Sequence, residues 1–169
     1  MKTAIKFIVA VSFLFSFSFC KAQKVQKWVV TERQNEIKGY NYIFEGTVTQ
    51  QTKNGNWMCS VVQITKIYKG SPQIKLGTIR VVMELQADGE PAMTKGSKYV
   101  LFGRPASPSL DTIQTAENTL TLQCIDHIDF HGTGATWGAR QPQEYKTVDS
   151  LYSYFKENGL AVQQEAQQK

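Results

Sequence analysis

The sequence predicts an all-β protein with one C-terminal helix, its five principal strands forming an antiparallel barrel. Three observations carry that prediction. β-Branched and aromatic residues gather in short runs broken by Gly, Pro, Asn and Asp, the pattern of successive strands and turns. Turn chemistry recurs at Asn54-Gly55-Asn56, Gly70-Ser71-Pro72 and Asp88-Gly89-Glu90-Pro91. Only near the end does the apolar period lengthen: Val148, Leu151, Tyr152 and Phe155 fall at i, i+3, i+4 and i+7, one face of a helix.

Strands are expected near 41–50, 57–68, 77–85, 97–104 and 119–129, with an extra N-terminal strand over Lys24–Thr31 carrying Trp28 and Val30 on one face. Within the second strand Val62 and Ile64 share a face, but Ile67 arrives one step out of phase. A β-bulge near Thr65-Lys66 restores the pattern and bends the strand as a small barrel requires. Thr147 or Asp149 caps the helix at its start and Gly159 ends it. The helix is expected to cover one opening of the barrel. Phe44, Val48, Val62, Ile64, Val82, Val100, Phe102, Leu120 and Leu122 are the expected core. Residues 161–169 (AVQQEAQQK) read as a flexible polar tail.

The N-terminus reads as a secretory leader. Lys2 and Lys6 precede an uncharged apolar run from Phe7 to Phe19 that is too short to span a bilayer. Cys20 and Ala22 put small residues where a signal peptidase reads, so cleavage is expected before Gln23, leaving residues 23–160 as a single domain and the product periplasmic or extracellular. The rival is a lipid anchor on Cys20, disfavoured because Phe19 stands where a lipobox needs a small residue. Of 19 Lys+Arg, three leave with the leader, so 16 basic residues face 14 acidic ones and the mature net charge is +2. The apparent basicity belongs to the leader and gives no support for nucleic acid or anionic membrane as a partner. Cys59 and Cys124 remain as the candidates for one disulfide, and their spacing fits no CxxC metal or redox motif.

Four segments in order resemble the netrin-like, tissue-inhibitor-of-metalloproteinases type of OB-fold module. Phe44-Glu45-Gly46 matches the family's Phe-x-Gly at the end of its first strand. Ile64-Thr65-Lys66-Ile67-Tyr68-Lys69-Gly70 is similar to its hydrophobic-Thr-Lys-hydrophobic-Tyr-Lys-Gly segment. Gly96-Ser97-Lys98-Tyr99-Val100-Leu101-Phe102 and Leu120-Thr121-Leu122-Gln123-Cys124 follow as Gly-x-x-Tyr-hydrophobic-hydrophobic-Phe and Leu-x-Leu-x-Cys. The resemblance covers about 41–128 and implies a secreted OB barrel that binds a partner. Metalloproteinase inhibitors of this kind chelate the protease zinc through an N-terminal Cys held by a disulfide to the Leu-x-Leu-x-Cys cysteine. With Gln23 as the expected mature N-terminus, that wedge does not carry over: Cys124 matches the family position, but its expected partner is absent.

One local constellation could carry chemistry. Cys124-Ile125-Asp126-His127-Ile128-Asp129-Phe130-His131 contains both histidines, and on a strand His127, Asp129 and His131 point the same way. Two imidazoles and a carboxylate suit zinc, with a position left for water. The plainer reading, which we prefer, is a polar face turned to solvent with Ile128 and Phe130 inside, and no metal bound. His131-Gly132-Thr133-Gly134-Ala135-Thr136-Trp137-Gly138 is Gly-rich but matches neither a P-loop nor GxGxxG before a helix, and reads as a mobile loop. No Gly-x-Ser-x-Gly elbow is present, and Cys124 and His127 alternate to opposite faces, so no catalytic residue and no cofactor is expected. The function expected is therefore a non-enzymatic exported binding module for a protein or glycan. The alternatives are a metal-dependent protein built on His127, Asp129 and His131, and a protease inhibitor acting through the barrel rim.

Overall fold

A computed structural model describes residues 34–35, 37–107, 116–138 and 142–167. The chain divides into two compact units, 1–39 and 40–169. In the first, the described residues 34–35 and 37–39 are helical. The Lys24–Thr31 strand expectation and the leader lie outside the described residues.

The second unit contains β1 (Tyr42–Asn54), β2 (Trp57–Lys69), β3 (Gly77–Glu84), β4 (Lys98–Pro105), β5 (Thr121–His131), β6 (Gly134–Trp137), β7 (Gln143–Tyr145), α1 (Val148–Glu157) and β8 (Gln164–Glu165). The five principal strands close a barrel-like ring in the order β1-β2-β3-β5-β4-β1. Four of the ring pairings are antiparallel as expected. The closing one, β3 with β5, is parallel, running from Arg80↔Thr121 to Val82↔Gln123. Closure leaves no open edge among these five along the paired stretch.

Local sequence explains how the ring bends. The β1–β2 register skips Tyr68 and Thr65, so the bulge expected near Thr65-Lys66 is present, with a second beside it. Gly46 lies where the strands come closest: a Cβ there would sit 2.6 Å from the Gln63 carbonyl oxygen and from Val62 Cγ1. Gly55 turns the β1–β2 hairpin at φ 57°, a conformation that side chains with a Cβ rarely adopt.

The interior is apolar, with Phe44, Val48, Val62, Ile64, Ile67, Ile79, Val81, Tyr99, Leu101 and Leu122 in one cluster. The alternate positions do not face solvent as strand alternation alone implies. Ile43, Val100, Phe102 and Ile128 are each 0% exposed. They form a second apolar layer outside the ring. Trp137 of β6 stacks flat on Phe102 (4.9 Å, 7°), and Phe155 of α1 stands edge-on to Trp137 (6.3 Å) and Tyr68 (5.2 Å). Each such aromatic pair adds about 0.5–1.5 kcal/mol beyond area burial. The helix therefore packs on the outer wall rather than over an opening, which corrects the expected placement. Its ends follow the sequence reading: Thr147 Oγ1 accepts from the Ser150 amide, and the helix closes at Asn158 and Gly159.

Two further expectations change. Residues 131–138, read as a mobile loop, contain the β5–β6 turn and all of β6. Gly132 turns at φ 53°, and Gly134 passes so near β7 that a Cβ would lie 2.5 Å from the Tyr145 carbonyl oxygen. The polar tail does not simply fray: β8 pairs with β2 at Lys66↔Glu165 and Ile67↔Gln164.

Candidate functional site

The β1–β2 hairpin projects beyond its neighbour. β1 leaves β4 at Thr47↔Lys98 yet remains paired with β2 as far as Asn54↔Trp57. The segment from Leu85 to Ser97 lies alongside. The Leu85 amide donates to the Asn56 carbonyl (2.8 Å), Gln51 Nε2 to the Met93 carbonyl (3.0 Å) and Lys53 Nζ to the Gly89 carbonyl (3.4 Å). Between hairpin and segment is a hollow of about 290 Å³ bordered by Lys53, Asn56, Glu84, Leu85 and Gln86 among others. Thr52, Lys53, Asn54, Gly55 and Asn56 are all exposed. The tip is thus an exposed polar surface on a support hydrogen-bonded through the Asn56 carbonyl and the Gln51 and Lys53 side chains.

The histidine strand is built differently from the expectation. His127, Asp129 and His131 do share a face, but it is that of Leu101 and Tyr99, their partners on β4, which belong to the interior. Ile128 faces the outer layer, opposite Trp137. The phase reverses because the β4–β5 register skips Ile125, which is looped out and 44% exposed. Near the ring's end the three side chains diverge. His127 is 12% exposed, edge-on to Tyr99 at 5.8 Å, with Nε2 3.6 Å from Asp129 Oδ2. His131 turns away: Nε2 lies 2.7 Å from Thr136 Oγ1 and 3.5 Å from Glu144 Oε2. Among the described residues no set of three His, Cys, Asp or Glu is placed to hold a metal. His131, Thr136 and Glu144 superficially resemble a nucleophile group. The Thr136 hydroxyl, however, lies 2.7–2.8 Å from both Glu144 oxygens and donates there, so the imidazole is not poised between hydroxyl and carboxylate.

The two cysteines lie on different faces of the sheet. Cys124 belongs to the interior cluster, whereas Cys59 pairs opposite Val82 on the other face; both thiols are buried and no disulfide joins them. Burial, then the neighbouring Asp126 charge, raises the Cys124 pKa well above the ordinary thiol range, which leaves it inert as a nucleophile.

Sequence reasoning passed over Glu45. This carboxylate is 0% exposed in the outer layer. It accepts from Tyr152 (2.7 Å), Tyr68 (3.2 Å) and Thr65 (3.3 Å) hydroxyls and is paired with Lys98 Nζ at 2.5 Å. Thr65 and Tyr68 come from the second family-like segment, Glu45 from the first and Lys98 from the third. The available signal was a charged residue between Phe44 and Gly46, the lone charge in the stretch Tyr42–Val48. A buried carboxylate with this many donors is satisfied, and its role is to join β1, β2, β4 and α1.

No helix among the described residues is long and apolar enough to cross a membrane. No curated protein matches the chain. The family model for the UNC-6/NTR/C345C module matches residues 34–127, more than half of the chain. Members of that family are typically extracellular, non-enzymatic binding modules, some of them inhibitors. The ring order, the three family-like segments meeting at Glu45 and the matched span agree: the chain belongs to the netrin-like (UNC-6/NTR/C345C) module family.

Proposed function

We propose that the chain is an exported, non-enzymatic binding module. Its partner, a protein or glycan at the cell envelope or outside the cell, is met by the β1–β2 hairpin tip and the Leu85–Ser97 segment. The observation that carries this is the contrast along β1. Up to Thr47 its residues are committed to the ring and the Glu45 network, whereas Thr52–Asn56 are exposed, polar and supported from one side. Export rests on the leader character of residues 1–22. The narrower form of the proposal, inhibition of a secreted protease, uses the same surface without a zinc-chelating N-terminal Cys. A metal-dependent role for His127, Asp129 and His131 has less support, because Thr136 and Glu144 hold His131 apart from the other two.

The test is affinity capture from envelope and medium fractions of the source cells, using the chain from Gln23 onward and the same chain carrying Lys53→Glu with Asn56→Ala. A partner retained by the first and lost by the second supports the proposal. Equal retention by both places recognition elsewhere. Inhibition assays against secreted metalloproteinases decide the narrower form.

A further inference from the structure

At the end of β2 remote from the hairpin tip, β3 pairs with β2 only as far as Ile64↔Gly77. From Thr65 onward that edge is occupied by the chain's own C-terminal segment. The Ala166 amide donates to the Thr65 carbonyl (2.8 Å) and the Gln163 amide to the Ile67 carbonyl (2.6 Å). Glu165 is paired with Lys66 at 3.1 Å, and Gln163 and Gln164 side chains bond Ser71. We propose that this edge of β2 is a strand-addition site, held by the Gln163–Ala166 segment until an extended segment of a partner protein, with an acidic residue opposite Lys66, replaces it.

Two features distinguish this strap from the other strands. Leu160 is the last buried apolar residue; beyond it Val162, Gln163, Glu165 and Ala166 are exposed, so nothing hydrophobic anchors the segment. Its attachment is polar, near water, and exchangeable for equivalent bonds from another extended chain, which is how strand addition draws affinity from main-chain groups. The site beneath is prepared without the strap. Lys66 Nζ sits 4.5 Å over the Tyr152 ring, which Glu45 holds through the tyrosine hydroxyl. The cation thus keeps its place when Glu165 leaves. This site is separate from the proposed hairpin surface and does not depend on it.

The experiment uses the full chain and a Gln163→Pro, Ala166→Pro double variant, which removes both strap amides and leaves the ring untouched. The probe is a labelled synthetic peptide of sequence AVQQEAQ, residues 161–167. The double variant is expected to bind it at least about tenfold tighter than the unmodified chain, with binding lost when Lys66→Glu is added. In the unmodified chain, hydrogen exchange at the Gln163 and Ala166 amides is expected to be about 100-fold faster than at Leu160, whose amide is bonded to Phe155. Equal peptide binding by both chains, or binding by neither, overturns the proposal. So does strap exchange as slow as that of Leu160, which marks the strap as a permanent element. Dimerisation of the unmodified chain through exchanged tails overturns it too, by naming a second copy as the occupant.

Discussion

The two halves of β1 do opposite things. From Tyr42 to Val48 the strand is buried almost throughout, on the ring's inner face by the core and on its outer face by Tyr68, α1 and the Glu45 network. From Thr49 to Asn54 the same strand, still paired with β2, is largely exposed. The family-like motifs Phe44-Glu45-Gly46 and Ile64–Gly70 lie on the buried half and its partner. The difference teaches that what marks the family is the machinery of assembly, while the surface left for recognition lies where the motifs stop.

If the covered half is structural, its substitutions should be the most destabilising. Phe155→Ala opens a cavity between Tyr68 and Trp137 and is expected to lower stability by about 3–5 kcal/mol in denaturant unfolding. Glu45→Ala removes the acceptor that the Tyr68 and Tyr152 hydroxyls share under the helix and the partner of Lys98, with an expected loss of about 3 kcal/mol. A loss below about 1 kcal/mol for either would break the comparison, by showing that the outer layer is dispensable. Gly46→Ala drives a methyl group into a backbone oxygen that cannot move aside, and about 2–3 kcal/mol of overpacking is expected.

The tyrosines supply a pH signature. Burial first, and then Glu45, raises the pKa of both Tyr68 and Tyr152 above the ordinary 10.0. The unfolded chain releases those protons near pH 10 while the folded protein holds them. Their contribution is complete below pH 10 and is lost as pH rises beyond it. The unmodified chain should therefore lose stability more steeply above that pH than a Tyr68→Phe, Tyr152→Phe variant. Parallel alkaline profiles would remove the tyrosines from the account. The smallest effect is expected at the tip, where Lys53→Ala or Asn54→Ala should change stability by less than about 0.5 kcal/mol.

The inner face of the ring was legible in the sequence because strand alternation reports one buried face directly. Phe44, Val62, Ile64 and Leu122 were placed correctly, and the out-of-phase Ile67 announced its bulge. The outer layer was not legible. Val100 and Phe102 were expected to be buried, but nothing local says that they and Ile43 face away from the interior under a helix drawn from more than forty residues further on. β6 and β7 are too short for periodicity to register. The histidine strand was misread by one face because the skip at Ile125 comes from tertiary pairing with β4 and leaves no mark in composition. Glu45 carried a visible signal, a lone charge in an apolar run, whose partners became apparent only once distant segments were brought together.

The measurement that bears most directly on the division of β1 pairs stability with capture for two variants, Glu45→Gln and Lys53→Glu/Asn56→Ala, against envelope and medium fractions. The account predicts that Glu45→Gln is less stable yet retains the partner at a temperature where it remains folded. It predicts that the tip variant is as stable as the unmodified chain and loses the partner. A tip variant that keeps the partner, with Glu45→Gln losing it while still folded, would contradict the account.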